Sequence, residues 1–451
     1  MHSSGSNGAL APNAAQGPSP DPDPVFEMVV LGSGGGPLET DCSGYLLKPA
    51  SSRWEDGILA LEGGSGIGAL TNLLKTHPVE ELFPNVNFPE THNSPILKAA
   101  YIFSFLTCYL ITHAHLDHAV SLILLSGSVP CKQRRTSRQM FNEHSNASEA
   151  TADETVPPVP ARIPVYATQE TLDNLAAAYG GGLWPELGAW ATPEELMQSG
   201  RRKRRRTQDE LNGVGPKFYP LATDKGRKHT HLNAHLPIST LVFPVAHGHT
   251  SQGPYSSSAT FIRHDPSLMA SRPVSRRASQ SAISTPQEDM DTETNGLFGT
   301  AGREFLFFGD VESEWRADHE AEVDRDGAAA AGAYNRAIWE QAAMSFGEGR
   351  LAGIFLECSY DSTRPATIMF GHLSPPGIMH ELRTLASFVG KESRPLEGLK
   401  IFITHVKEFL VPHRSGVSAR ELIKIELDAL EAENQLGVTF NVISPGDRLL
   451  I

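Results

Sequence analysis

Leu110-Ile111-Thr112-His113-Ala114-His115-Leu116-Asp117-His118 closes an apolar strand and opens an apolar helix, which sets four ligand-type side chains at one strand-to-helix turn. With 18 His in 451 residues, three His and one Asp at those spacings arise by chance in roughly one such chain per thousand. The plainer reading is a group of histidines satisfied by hydrogen bonds at a helix start. Neutral imidazole and carboxylate suit Zn²⁺, however, and the alternation His, His, Asp, His aims neighbouring side chains at two adjacent metals. Two metals need more ligands than this turn supplies, so the rest must come from other strand ends. Three segments qualify: Phe243-Pro244-Val245-Ala246-His247-Gly248, Phe307-Phe308-Gly309-Asp310 and Ile401-Phe402-Ile403-Thr404-His405. A single His or Asp after a strand is commonly a turn residue or a cap; the ordered set is what points to a metal centre. His249 rivals His247, which is preferred because it directly follows the apolar run.

Working outward, strand-length apolar runs are read at 26–31, 44–47, 58–61, 107–111, 163–166, 241–245, 259–262, 304–308, 354–356, 401–403 and 438–443. Helical patterns are read at 66–74, 116–125, 170–178, 334–343, 375–388 and 419–433. Ser374 before Pro375 is expected to cap one helix, and Ser418 with Glu421 to form a capping box on another. The apolar stretch 99–112 is expected to be a buried strand with its lead-in, too short to cross a membrane. No period suggests a solenoid or propeller.

A net charge of -14 with 40% hydrophobic residues allows a sizeable core under an acidic surface that would repel long nucleic acids. Cys42, Cys108, Cys131 and Cys358 form no Cys-x-x-Cys pair, which argues against a disulfide framework or a thiolate zinc site and fits a reducing compartment. Residues 1–24 read as a disordered tail rather than a signal peptide. Residues 25–451 read as one domain carrying mobile insertions at 132–162, 194–235 and 265–303, all rich in Ser, Thr, Pro, Gly and charge.

The ordered ligand set resembles the metallo-β-lactamase superfamily. Its nearest likeness within that superfamily, through Phe26-Glu27-Met28-Val29-Val30-Leu31-Gly32-Ser33-Gly34-Gly35-Gly36-Pro37-Leu38-Glu39 and His-x-His-Leu-Asp-His, is to the class II cyclic-nucleotide phosphodiesterases. The resemblance implies a four-layer αββα sandwich and two zinc ions. His113, His115 and His247 would hold one, Asp117, His118 and His405 the other, and Asp310 would bridge. It further implies hydrolysis of 3′,5′-cyclic AMP, or cyclic GMP, to the 5′-nucleotide by a metal-bridging hydroxide. Leu356-Glu357-Cys358-Ser359-Tyr360 with Phe370-Gly371-His372-Leu373-Ser374 is similar to a Glu and His pair of phosphodiesterase and tRNA-processing branches. That likeness makes His372 the proton donor to the leaving oxygen, oriented by Glu357. Asp117 is the third catalytic candidate. Two departures stand out: Ala119 where a larger aliphatic residue is expected, and Glu408 where proline is usual.

Other readings are weighed against this one. Gly32 to Gly36 could be a dinucleotide loop, but Asp41-Cys42-Ser43 leads into a strand where a helix should follow. A tRNA 3′-processing nuclease is the functional rival, disfavoured by the acidic charge. A non-catalytic binding protein that kept the fold is the third possibility. The run Arg201-Arg202-Lys203-Arg204-Arg205-Arg206 reads as a solvated loop or a nuclear import signal, so the expected location is cytoplasmic with a nuclear address left open. Arg276-Arg277-Ala278-Ser279 resembles a site for a basophilic regulatory kinase. His229, His231 and His235 lie in a polar stretch and are read as incidental. The expected partners are a small cyclic nucleotide and a regulatory kinase acting at Ser279, with no membrane and no nucleic acid, and a homodimer is compatible with the chain.

Overall fold

The computed structural model describes residues 23–128, 162–197, 214–223, 228–233, 235–251, 253–266, 302–315 and 325–451. The expected tail up to residue 22, the insertion core 132–161, the run 201–206, Cys131 and Ser279 lie outside them.

Two sheets face each other. The first contains β1 (Phe26–Gly35), β2 (Cys42–Pro49), β3 (Ile58–Leu61), β4 (Leu106–Leu110), β5 (Ile163–Thr168), β6 (Ala189–Trp190), β7 (Pro216–Leu221) and the last strand, β15 (Arg448–Leu450), in the order β15-β1-β2-β3-β4-β5-β7-β6. The second contains β8 (Thr230–His231), β9 (Ile238–Thr250), β10 (Gly253–His264), β11 (Glu304–Phe308), β12 (Leu351–Glu357), β13 (Lys400–Thr404) and β14 (Thr439–Val442), in the order β14-β13-β12-β11-β10-β9-β8. β11 to β14 run parallel, as do β3, β4, β5, β7 and β6.

Because strand side chains alternate between faces, a strand buried on both faces needs apolar residues at every position. β11 shows this: Phe305 and Phe307 enter the core between the sheets, while Leu306 and Phe308 face helices. Phe355 of β12 and Phe402 of β13 continue the inner face, with ring centroids 4.6 Å apart. Ile354, Leu356, Ile401 and Ile403 pack outward on Trp339, Ile378 and Ile423 from the helices Arg325–Gly347, Pro375–Val389 and Ala419–Asn434. On the other side, Val29, Leu31 and Ala60 pack on the helices Ile67–Thr76, Pro95–Phe103, Leu116–Leu125 and Gln169–Ala178. Helix, sheet, sheet, helix is the expected αββα architecture.

Three details differ from expectation. Pro95–Phe103 is a helix, so the apolar stretch 99–112 is half helix and half strand. β7 lies inside the stretch 194–235 expected to be a mobile insertion, yet pairs with β5 from Ile163↔Pro216 to Thr168↔Leu221, which corrects that boundary. The Ser418 hydroxyl accepts from the Glu421 amide at 3.2 Å, whereas Ser374 makes no side-chain cap bond. No described helix is long and apolar enough to cross a membrane.

At the start of β11, the fully buried Glu304 carboxylate accepts from His229 Nε2 (3.0 Å), Arg263 Nε (2.9 Å), Ser345 Oγ (2.5 Å) and Arg350 Nη1 (2.9 Å), tying four segments together. Burial pushes its pKa up, but the bonds from His229, Ser345 and Arg263 overcome that and hold it down at about 2, from an ordinary 4.5. A depressed carboxylate stabilises the fold above its unfolded pKa and loses that contribution as pH falls toward its folded one. Glu304→Gln should therefore cost about 2–4 kcal/mol at pH 7. Urea unfolding should show the gap to wild type narrowing between about pH 5 and pH 2.

Candidate metal centre

The side chains singled out for the centre gather on one edge of the sandwich, just beyond strand ends except for His247, which lies inside a strand that runs on to Thr250. β4 delivers Thr112 to His118, with His115 at the N-cap of Leu116–Leu125. β9 carries His247, the turn after β11 carries Asp310, and the residue after β13 is His405. The first sheet thus supplies one half of the group and the second sheet the other.

His113, His115, His247 and Asp310 each direct one donor atom to a common point, the four atoms lying within 4.8 Å of one another. His115 Nδ1 is 3.1 Å from His113 Nε2 and 3.2 Å from His247 Nε2, and both Nε2 atoms are 3.5 Å from Asp310 Oδ2. Asp117, His118 and His405 form a second group. His405 Nε2 is 3.1 Å from Asp117 Oδ2 and 3.2 Å from Asp310 Oδ1, while His118 Nε2 is 3.3 Å from Asp310 Oδ1. Asp310 therefore lies between the two groups. His249 is exposed and pairs with Pro254 across the hairpin, so His247 is the histidine that joins the cluster. His372 belongs to a third, overlapping group with Asp310 and His405.

Outer partners set which ring nitrogen faces inward. Nδ1 of His247 donates to the Gly371 carbonyl at 3.0 Å, leaving the Nε2 lone pair on the cluster. Thr112 Oγ1 donates to Glu62 Oε1 at 2.5 Å and so can accept from His113 Nδ1 at 3.1 Å. A matching relay runs from the other sheet: Ser359 Oγ donates to Glu357 Oε2 at 2.9 Å and can accept from His405 Nδ1 at 2.9 Å. Glu357 Oε1 also accepts from the Val311 amide and lies 3.0 Å from His372 Nδ1. Two buried carboxylates thus each steer a histidine through a hydroxyl, one from each sheet.

Several donor atoms thereby converge where a bound cation would satisfy them. Both ring nitrogens of His118 and Oδ1 of Asp310 are buried without a hydrogen-bond partner, although His118 and Asp310 are neighbours. Burial lowers the pKa of His113 and His247 and brings His115 to about 4, the deprotonated form a metal requires. Burial alone would also lower His118, but Asp310, Asp117 and Glu62 outweigh it and raise its pKa. Burial would raise Asp310, yet His405, His118 and His113 hold it well below the carboxylate range. Burial and the Asp310 charge push Glu357 to about 7, and burial draws His372 to about 4. Neutral imidazoles and carboxylates in two groups fit hard-to-borderline divalent ions such as zinc.

Local backbone adapts to this packing. His405 has φ +59°, and a Cβ on Gly35 would lie 2.3 Å from its ring, so the glycine-rich end of β1 is a close-approach surface rather than a cofactor loop. The two departures from the family pattern are accommodated. Ala119 is fully buried on the first sheet's helix face, and Glu408 pairs with Arg420, which also binds Asp41 at 2.7 Å. His229 and His231 are engaged elsewhere, by Glu304 and by the Leu236 carbonyl. Residues that sequence reasoning missed are Glu62, Thr112 and Ser359 as orienting groups, and Tyr255, stacked on His115 at 4.5 Å. Glu62 follows an apolar strand and precedes Gly63-Gly64, the same strand-end signal that flagged the others.

The chain is 25% identical over 474 residues to a 3′,5′-cyclic-nucleotide phosphodiesterase of Candida albicans, covering 94% of this chain and 100% of that one. It is 23% identical to a 3′,5′-cyclic-nucleotide phosphodiesterase of Schizosaccharomyces pombe, covering 93% and 92%. The crystal structure of unliganded yeast PDE1 superposes with a TM-score of 0.61 at 20% identity, covering 95% of this chain and 100% of that one, and so shares the fold. The family model for class II cAMP phosphodiesterases matches residues 29–446, almost the whole chain. From β1 to the turn before β15, then, this chain is a member of the class II cAMP phosphodiesterase family.

Proposed function

We propose that the protein hydrolyses 3′,5′-cyclic AMP to 5′-AMP with two zinc ions, His113, His115 and His247 holding one, Asp117, His118 and His405 the other, and Asp310 bridging. The observation that carries this reading is the convergence of two donor groups on opposite oxygens of Asp310. When bound, such a pair supplies a nucleophilic water at neutral pH and clamps the charge that builds on the phosphate oxygens.

The chain's own residues do the rest. Water adds to phosphorus, the bond from phosphorus to the 3′-oxygen breaks, and that oxygen must collect a proton. His372, side chain 8% exposed and held by Glu357 at 3.0 Å, is placed to hand that oxygen a proton, which the ring must first take up as the phosphate charge arrives beside it, because burial keeps the free imidazole neutral at pH 7. Glu357 fixes the ring from behind, and through Ser359 it fixes His405 as well, so donor and ligand share one anchor. Asp117 ties His405 to the first sheet at 3.1 Å.

Chelator-treated protein should lose cyclic AMP hydrolysis and regain it with about two equivalents of zinc, read as 5′-AMP formed and as metal per chain. Cleavage of precursor tRNA with no cyclic-nucleotide turnover would overturn the reading. His372→Ala should lower kcat about 10²- to 10⁴-fold while metal content holds. Loss of metal in that variant would make His372 a ligand instead.

A further inference from the structure

Phe370 contradicts what its surroundings ask of it. Its backbone is left-handed at φ +53°, a region that a bulky L residue occupies at a cost of about 1–2 kcal/mol. The residue is 66% exposed. Glycine or asparagine would fill the same turn with less strain and no bare ring. The fold returns little to this phenyl group: the contact described for the ring is a cation, the Arg364 guanidinium, 5.7 Å from its centroid.

The turn itself is held tightly against the metal centre. Gly371, also left-handed, approaches the His247–Gly248 backbone so closely that a Cβ would meet Gly248 N at 2.5 Å, and its carbonyl is the acceptor for His247 Nδ1. Arg364 donates through Nε to the Ile368 carbonyl and lies 4.2 Å over the Tyr360 ring, which is edge-on to His372 at 6.0 Å. A continuous series thus leads outward from the proposed proton donor: His372, Tyr360, Arg364, Phe370.

We infer that Phe370 is the stacking platform for the purine base of the substrate, with Arg364 as the positioning residue that holds the ring. The inference rests on the reading of the metal centre as the phosphate site. Phe370 stands two residues before His372, so a nucleoside whose phosphate is held beside His372 would have within its reach an exposed ring, backed by a guanidinium, that offers a π-face to any purine. Such stacking is indifferent to the base's hydrogen-bonding edge, so adenine and guanine should both benefit.

The test uses zinc-loaded full-length protein and two readouts. Phe370→Ala should weaken calorimetric binding of 5′-AMP, and raise KM for cyclic AMP, by about 10- to 100-fold. Phe370→Trp should stay within about threefold of wild type, because it keeps a π-face. The loss should be several-fold smaller for ribose 3′,5′-cyclic phosphate, which has no base. Arg364→Ala should follow Phe370→Ala at lower amplitude. Unchanged 5′-AMP binding in Phe370→Ala, or an equal loss with the baseless substrate, would overturn the assignment. Wild-type protein that bound no 5′-AMP would overturn it together with the reading on which it rests.

Discussion

A carboxylate taken out of water must be neutralised where it sits, and Asp310, 1% exposed, has the Nε2 atoms of His113, His118, His247 and His405 within 3.5 Å. Those imidazoles cannot all be protonated, since burial lowers the pKa of His113 and His247. They cannot all be hydrogen-bond donors either, because outer partners occupy the other nitrogen of His247 and are arranged to do the same for His113 and His405. One negative charge surrounded by inward lone pairs is an arrangement that divalent cations would complete. The rest of the architecture follows from delivering these groups to one place.

That delivery joins the two sheets. His113 to His118 descend from β4, whereas His247, Asp310 and His405 come from β9, β11 and β13. Between them lies the aromatic core of Phe305, Phe307, Phe355 and Phe402, which fixes how one sheet lies on the other. The relays repeat the division: Glu62 through Thr112 from the first sheet, Glu357 through Ser359 from the second. A shift at the sheet interface would therefore separate both ligand groups and their anchors together, so packing far from the cleft governs chemistry within it.

Much of this was legible in the chain because the signal was doubled. His113 to His118 combine a dense ligand pattern with a change from strand to helix periodicity, and the segments ending in His247, Asp310 and His405 repeat the strand-end placement. Other features carried only one signal. The helix Pro95–Phe103 is apolar at nearly every position, so its period cannot be told from that of a buried strand; only Ser94-Pro95 marks its start. β7 begins with Pro216, contains Pro220 and sits among polar residues, which hides a strand that β5 nonetheless pairs with along its length. Thr112 and Ser359 carry no mark of their role in the chain, since a hydroxyl relay is visible only once its carboxylate is known to lie alongside.

The most direct measurement is anomalous diffraction at the zinc edge from crystals of zinc-loaded protein. Two peaks are predicted, one among His113, His115 and His247 and one among Asp117, His118 and His405, with an Asp310 oxygen on each. A single peak, or a second peak ligated by His372 in place of the Asp117 group, would contradict the account.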